Sequence, residues 1–483
     1  MNGASPFTTE NITSITPLGM GFTALMCLLL IFLPRKYALV PVIILVCNMT
    51  MGERVAVAGL NFTMFRILIL VGWVRMLVRG EIKSFKLNAI DKTLIWLMIS
   101  SVITHVLLWQ TYGAFQNKLG QAYNAIGLYF LFRFLLRDTE DIVRLIKVIA
   151  WCVIPLAGFM ITENLTGHNL FAVFGGVPES TSIRLDTLRV QGPFSHPILA
   201  GTFGATLLPL FVGLWKLEKG NRKVSMLAIV SCVAITLTSA SSGPLLAFFC
   251  GLLAIAAWPL RNHFNKLRWG LLIALVGLEL VMKSHIWFLM ARVNVFSGST
   301  GFHRAYLIDR AIANLDDWWL IGTKSTAAWA DQDAHLFDVT NQYIAYGADG
   351  GLITMLLFIL VIVHCFRAVG LTVRGLGPES PNLQICIWAL GAALFCHTVT
   401  FLSVSYFDQN FVNWYLLLAM ISTVSESAKE VRSKGLELTT GNGLLSTQGR
   451  TEGHCISSDR RSAYVLLGGI YGESRQGGIE ATS

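Results

Sequence analysis

Long apolar runs alternate with short polar segments over most of the chain. A helix needs about 20 predominantly apolar residues to cross the hydrocarbon core of a bilayer, and about thirteen runs approach that length. Their approximate limits are 17–33, 38–51, 62–79, 90–109, 121–136, 142–162, 197–216, 224–239, 244–258, 268–283, 350–368, 383–402 and 409–425. The pattern predicts an all-α polytopic membrane protein with about thirteen transmembrane helices, or twelve if the short second run does not cross.

The composition supports this class. Hydrophobic residues make up 54% of the 483 residues, charged residues only 13%, and the mean hydropathy is +0.60. Soluble domains carry roughly 25% charged residues, so an ordinary soluble domain is disfavoured. The first run has no basic residue before it and is longer than the apolar part of a typical signal peptide, so we interpret it as a retained span.

Basic residues follow every second apolar run, which indicates the orientation of the chain. They include Arg35 and Lys36, Arg79 and Lys83, Arg137 and Arg144, Lys216 and Lys219, Arg261 and Lys266, and Arg367 and Arg374. Cytoplasmic connections are enriched in Lys and Arg, so these connections are predicted to be cytoplasmic. Thirteen spans then place the N-terminus outside and the C-terminus in the cytoplasm. The same loops account for the net charge of +9 without a nucleic-acid partner.

Two of the predicted outer connections are long, 163–196 and 284–349. Loops of such length are commonly functional, and the stretch "HRAYLIDRAIANL" predicts a helix within the second one. We therefore expect a large structured outer loop between late transmembrane helices. Residues 1–425 form the predicted transmembrane domain with both loops, and residues 426–483, rich in Gly, Ser and Thr, form a predicted disordered cytoplasmic tail.

The stretch "RVQGPFSHP", residues 189–197, contains the first candidate site residues. Arg189 is about eight residues from the next span, and its planar guanidinium matches the oxygens of a lipid diphosphate at headgroup level. The alternative is that Arg189 contacts ordinary lipid headgroups. His196 precedes Pro197, where a helix is expected to start, so it is either a general base or a structural residue at that start.

Three features, in order along the chain, resemble the O-antigen ligase and polysaccharide polymerase superfamily. They are an arginine loop leading through a Gly-Pro turn into a helix ("RVQGPFSHPILAG"), a small outer turn ("SASSGP"), and a large late loop containing "FHRAYLIDRAIANLDDWWLIGT" and "DVTNQYIAYGADGGLITMLLF". The resemblance covers roughly residues 30 to 425, and the order of the motifs is more specific than any one of them.

The resemblance implies that arginines of the two outer loops hold a donor diphosphate and that a late-loop histidine takes part in catalysis. Arg189 matches the first arginine, and Arg304 matches the second, with Arg310 in reserve. The sequence departs from the family at Thr340, which stands at the histidine position and has no basic nitrogen.

His303 and His196 are the preferred replacements for the family histidine because each adjoins one of the two arginines, while His335 and Asp338 are the alternatives. Asn341 follows Thr340 as in the family motif, and it is expected to contribute to substrate binding together with Arg310. Trp318 and Trp319 are expected to stack on sugar rings or to anchor the loop at the membrane interface.

The resemblance implies a metal-independent glycosyltransferase without cofactors in a bacterial inner membrane. It would transfer a glycan from an undecaprenyl-diphosphate-linked donor to a glycan or glycolipid acceptor on the outer face, in lipopolysaccharide or exopolysaccharide assembly. Ligase and polymerase remain open. The alternatives are a lipid-linked sugar flippase, which should concentrate polar residues at mid-membrane, and a non-catalytic partner of other polysaccharide assembly proteins.

Overall fold

The computed structural model describes residues 13–57, 60–82, 86–292, 301–330, 336, 338–377 and 380–445. Over these residues the protein is mostly helical. The helices are α1 Pro17–Phe32, α2 Val40–Asn48, α3 Met64–Val78, α4 Ala89–Trp109, α5 Tyr112–Leu135, α6 Thr139–Thr166, α7 Pro197–Leu217, α8 Arg222–Thr238, α9 Ser242–Ala256, α10 Phe264–Val281, α11 Leu289–Arg292, α12 Gly301–Ala313, α13 Leu315–Trp318, α14 Gln342–Gly375, α15 Pro381–Thr400 and α16 Gln409–Leu445.

Two short antiparallel hairpins complete the described elements. β1 (Arg54–Val57) pairs with β2 (Leu60–Thr63), and β3 (Ser182–Arg184) pairs with β4 (Thr187–Arg189). Both lie in connections between helices, where a few residues of sheet suffice to shape a loop. The protein therefore belongs to the all-α class, as the apolar pattern predicts.

Each of the thirteen predicted apolar runs lies on a helix, namely α1 to α10 and α14 to α16. Among the described residues, six helices are long and apolar enough to cross a membrane: α4, α6, α7, the helical stretch Lys219–Thr238 that contains α8, α14 and α15. A seventh arises if α10 and the following helical segment, which meet at 93°, form one broken span. The protein is thus a membrane protein by helix length and composition, and the full number of spans stays a prediction.

Alternate connections between the helices meet at the same end of the bundle. At the end that contains β3 and β4, called the hairpin end below, the Gln409 side chain donates 3.0 Å hydrogen bonds to the carbonyls of both Met49 and Pro193. At the opposite end, Arg35 pairs with Asp141 at 2.6 Å and Arg75 pairs with Glu81 at 2.8 Å. The threading of the whole chain through a membrane stays a prediction.

Close packing of α7 places the turn between α8 and α9 beside the start of α7. A Cβ on Gly201 would lie 2.2 Å from Ser239 Oγ, and a Cβ on Gly204 would lie 2.9 Å from Thr236 Oγ1. Any larger side chain at these positions would push the helices apart. The small residues of α7 therefore fix where the turn 239–241 lies at the hairpin end.

The late loop docks into a break in α14. Gly351 has a φ of +79°, and a Cβ there would lie 2.4 Å from the Leu320 carbonyl oxygen, so glycine alone fits without strain. The backbone N–H of Leu352 donates to the Trp319 carbonyl at 2.8 Å instead of continuing the helix ladder. This break explains why α14 starts at Gln342, earlier than the apolar run predicts.

The last helix is longer than predicted. α16 continues to Leu445, so residues 426–445 of the predicted tail are helical. About half of this stretch is Glu, Lys, Arg or Leu, which favour helix. The rest of the predicted tail, residues 446–483, lies outside the described residues.

Candidate anion-binding site at the hairpin end

The β3–β4 hairpin presents two arginines on one face. Its two turn residues, Leu185 and Asp186, have φ values of +47° and +58°, the left-handed pair that tight hairpin turns require. Ser182 is the register partner of Arg189. Because side chains alternate between the faces of a strand, Arg184 lies on the same face as Ser182 and therefore as Arg189.

A buried carboxylate at the end of α6 holds the loop around this hairpin. Glu163 accepts hydrogen bonds from the backbone N–H groups of Gln191 at 3.1 Å and Gly192 at 2.9 Å. It also accepts a 3.2 Å hydrogen bond from the Thr181 hydroxyl. Glu163 thus ties the residues on both sides of the hairpin to one helix end.

The small turn between α8 and α9 brings the first loop and the late loop together. Arg189 Nη2 donates a 2.9 Å hydrogen bond to Ser241 Oγ. A Cβ on Gly243 would lie 2.8 Å from Ser403 Oγ and 3.5 Å from Arg304 Nη1. The turn therefore contacts Arg189 from one loop and Arg304 from the other. We call Arg184, Arg189 and Arg304 the arginine cluster.

The charges of the arginine cluster act on one another. Burial, together with the positive charges of Arg184 and Arg189, lowers the pKa of the Arg304 guanidinium to about 10. Burial and the charge of Arg184 likewise lower the pKa of Arg189. Both groups remain protonated near neutral pH, so their positive charges are held close together in a partly buried place.

Two arginines of the cluster, Arg189 and Arg304, lack an acidic partner within the described part of the chain. No described Asp or Glu forms an ion pair with Arg189 or Arg304, and the Nε of each is buried without a hydrogen-bond partner among the described residues. Buried charges are ordinarily paired. The arrangement can therefore bind an anion, and several guanidiniums favour one with multiple oxygens, such as a diphosphate.

His196 lies beside the cluster as the N-cap of α7. Its Nδ1 accepts a 3.1 Å hydrogen bond from the Ile198 backbone N–H. Burial and then the charge of Arg189 lower its pKa, while Asp338 opposes this effect. A neutral ring whose Nδ1 accepts must carry its proton on Nε2, where it donates. His196 is therefore placed to donate to an anion, and its expected role as general base stays a prediction.

Among the other late-loop candidates on α12, Arg310 contacts two neighbours on its own helix. It lies 3.2 Å from Asp309 and 5.3 Å from the centre of the Tyr306 ring. His303 is half-buried, and within the described residues no hydrogen bond or ion pair joins it to the arginine cluster. Because His303 is adjacent to Arg304 on α12, the two side chains leave the helix in directions about 100° apart.

The remaining predicted site residues have structural contacts. Trp318 is 4% exposed, packs against Gly347 and donates to the Ala311 carbonyl at 2.8 Å, so its ring is buried and cannot stack on a sugar. Trp319 is 50% exposed, so its ring remains accessible for stacking on a sugar. Asn341 caps α14 by accepting from two backbone N–H groups, so its contribution is to the helix start. His335 lies outside the described residues.

Three contributors to the site were missed at the level of sequence: Arg184, Glu163 and Ser241. The segment "SIRLDTLR" alternates polar and apolar residues around a two-residue turn, and this signal predicts a hairpin with Arg184 and Arg189 on one face. Glu163 carries no local signal, because its partners are the Thr181 hydroxyl, 18 positions later, and the backbone N–H groups of Gln191 and Gly192, 28 and 29 positions later.

Metal ligation has no evident basis in the residues that the structure describes. Among them there is no group of three or more His, Cys, Asp or Glu side chains arranged to hold a metal ion. The chain matches no protein-family model and no curated protein.

Proposed function

We propose that the protein is a glycosyltransferase that transfers a glycan from an undecaprenyl-diphosphate donor to an acceptor sugar hydroxyl at the outer face of a bacterial inner membrane. The observation that carries this proposal is the arginine cluster, in which Arg189 and Arg304 have no acidic partner among the described residues. A diphosphate is both the anion that such a cluster suits and a good leaving group for glycosyl transfer.

The proposed chemistry uses the cluster in the step that breaks the donor's glycosidic bond. As the anomeric carbon leaves the diphosphate, negative charge grows on the departing oxygen, and Arg189 and Arg304 stabilise it. Removing one such electrostatic donor typically lowers the rate by on the order of 100-fold or more. Because arginine supplies the positive charge, this step needs no divalent cation.

The placement at the outer face rests on charge distribution. The connections at the end opposite the hairpin carry the basic residues, such as Arg35 and Arg137, and basic connections are typically cytoplasmic. The hairpin end would then face outward, where the headgroup region of the outer leaflet meets the arginine cluster. A lipid tail could remain in the bilayer while its diphosphate reaches the guanidiniums.

The test is the lipid-linked glycan that accumulates when the gene is deleted. Single repeat units left on the carrier would identify a polymerase, and long chains stranded on the carrier would identify a ligase. Unchanged lipid-linked glycans would contradict the proposal.

A second candidate, transport of a lipid-linked sugar, is favoured by one observation. Asp349 of α14 lies 2.7 Å from Nδ1 of His105 of α4 and forms an ion pair with Lys118 of α5. Lys118 and His105 are both buried, and charged groups between transmembrane helices commonly mark transport pathways. Repeat units trapped on the cytoplasmic face of the deletion strain would support this candidate over the transferase.

A further inference from the structure

The start of α16 presents three consecutive side chains with buried oxygen atoms that have no donor among the described residues. They are Asp408 Oδ2, Gln409 Oε1 and Asn410 Oδ1. Gln409 and Asn410 are fully buried. Because buried polar atoms are ordinarily hydrogen-bonded, each of these acceptors is open to an O–H group of a ligand.

The orientation of these amides is fixed by their other atoms. The Gln409 Nε2 donates to the carbonyls of Met49 and Pro193, and Asn410 Nδ2 donates a 3.0 Å hydrogen bond to the Leu199 carbonyl. Since the NH₂ groups must face these carbonyls, the amide oxygens must face the other way. The hydrogen bonds of the two NH₂ groups therefore explain why the amide oxygens of Gln409 and Asn410 have no donor among the described residues.

The segment that carries Asp408 borders the arginine cluster at both of its ends. Ser403 Oγ would lie 2.8 Å from a Cβ on Gly243, the residue that Arg304 approaches. Gln409 contacts Pro193, four residues after Arg189. In sequence, Asp408 therefore lies between Ser403, which is close to Gly243, and Gln409, which binds the Pro193 carbonyl.

Asp408 itself is held in a strained backbone conformation. Its φ is +55°, in the left-handed region that few residues other than glycine adopt. Such conformations persist where the surrounding structure enforces them, and they are concentrated at functional sites. Burial raises the pKa of the Asp408 carboxyl to about 6.

We propose that Asp408 is the general base of the transfer reaction and that Gln409 and Asn410 accept hydrogen bonds from hydroxyls of the acceptor sugar. This inference rests on the proposed function and assigns the role that Thr340, which has no basic nitrogen, cannot fill. The acceptor O–H gives its proton to Asp408, and its oxygen forms the new bond to the anomeric carbon. The bond from that carbon to the diphosphate oxygen breaks, and its electron pair leaves with undecaprenyl diphosphate.

Burial raises the pKa of the Asp408 carboxyl, without a contribution from the charges of Glu53, His196 or Arg304. In a displacement, the base and the leaving diphosphate lie on opposite sides of the anomeric carbon. Asp338 is less suitable because its charge acts directly on His196, beside Arg189.

The experiment compares asparagine variants in proteoliposomes that contain the lipid-linked donor. Asparagine tolerates left-handed backbone and keeps the shape of aspartate, so Asp408→Asn should fold normally. Asp186→Asn is the matched control, since Asp186 also has a positive φ but is exposed in the hairpin turn. We expect Asp408→Asn to lower transfer by on the order of 100-fold or more. Binding of undecaprenyl diphosphate and the melting temperature should be unchanged, and Asp186→Asn should transfer normally.

Two further readouts separate a base from a structural residue. Wild-type transfer should rise as the pH increases through about 6, because the carboxylate must be deprotonated to accept the proton. Asp408→Gly, which suits the positive φ, should regain transfer when formate is added as an external base. Both results would support the proposal.

Other outcomes overturn it. If Asp408→Asn transfers within threefold of wild type while arginine-cluster variants are inactive, Asp408 is not the base and the proposed function stands. Loss of donor binding in Asp408→Asn, or loss of transfer in Asp338→Asn alone, also overturns the assignment. If neither the arginine-cluster variants nor Asp408→Asn changes transfer, both residue assignments fail, and if the wild-type protein shows no transfer, the proposed function fails with them.

Discussion

Arg189 Nη2 lies 2.9 Å from Ser241 Oγ, and this hydrogen bond joins the β3–β4 hairpin to the turn between α8 and α9. It uses one nitrogen of the guanidinium, while the buried Nε has no partner among the described residues. The remaining donors of the fork can therefore bind an anion while the contact to Ser241 sets the direction of the side chain.

Replacing Arg189 by lysine tests whether the planar guanidinium of Arg189 is needed for transfer. Arg189→Lys keeps the positive charge but loses the planar set of donors that can bind two oxygens at once. We expect transfer to fall by on the order of 100-fold in this variant. The measurement is the rate of glycan transfer in proteoliposomes at saturating donor.

Arg310→Lys is the matched control because Arg310 lies on α12, like Arg304, but pairs with Asp309 outside the arginine cluster. It should retain transfer. Full activity of Arg189→Lys would instead favour a contact of Arg189 with ordinary lipid headgroups.

Gly243 is the position where a side chain would displace Arg304. A valine there would collide with Ser403 Oγ and approach Arg304 Nη1, since even a Cβ would lie 2.8 Å and 3.5 Å from them. A misplacement of about 1 Å can cost on the order of 100-fold in rate, so Gly243→Val should lose transfer to that extent. Gly270→Val, on α10, where a Cβ meets nothing within 4 Å, should transfer normally. Equal activity of the two variants would contradict the role of the turn.

Glu163 should be needed to hold the hairpin loop. Glu163→Gln keeps the size of the side chain but removes its negative charge. The carboxylate of Glu163 accepts hydrogen bonds from the backbone N–H groups of Gln191 and Gly192. Hydrogen bonds to charged groups contribute about 1.5–3 kcal/mol, so thermal unfolding in detergent should show a loss of that order.

The control for Glu163 is Glu140→Gln, at the other end of α6, where the carboxylate is half exposed and pairs with Arg144. Exposed pairs contribute about 0–1 kcal/mol, so this variant should be close to wild type in stability. A Glu163→Gln protein as stable and as active as Glu140→Gln would refute the anchoring role.

His196 should contribute a hydrogen-bond donor and a helix cap, without acting as the base. Asparagine is a good N-cap, so His196→Asn should keep α7 intact while losing the Nε2–H donor. We expect transfer to fall by roughly tenfold, as for one hydrogen bond to a charged group. The pH dependence of transfer should keep its rise through about 6, because that rise belongs to Asp408. A lost or shifted pH dependence in His196→Asn would show that the imidazole is the titrating base.

The apolar pattern predicts the helices well because each predicted span is a continuous run of apolar residues, which is visible without knowledge of distant contacts. α4 and α15 lie close to the predicted limits 90–109 and 383–402. The break of α14 at Gly351 is not predictable in this way, because it depends on Leu320 packing against it.

The candidate site is predictable only in part. Arg189 and Arg304 are indicated by their loops, and the structure brings both to the turn at 239–243. Glu163 is not indicated, since its role depends on backbone groups distant in sequence. Trp318 has the residue type expected for sugar stacking, yet the fold uses it to fill the space over Gly347, which no local pattern reveals.

The most direct test of the account is glycan transfer by the purified protein in proteoliposomes, with undecaprenyl-diphosphate-linked glycan as donor and with both further donor and envelope glycolipid offered as acceptors. The account predicts that wild-type protein releases one undecaprenyl diphosphate for each new glycosidic bond, and that Arg189→Ala with Arg304→Ala abolishes both products. Absence of release by the wild type, or equal release by the double variant, would contradict the claim that the arginine cluster holds the donor diphosphate.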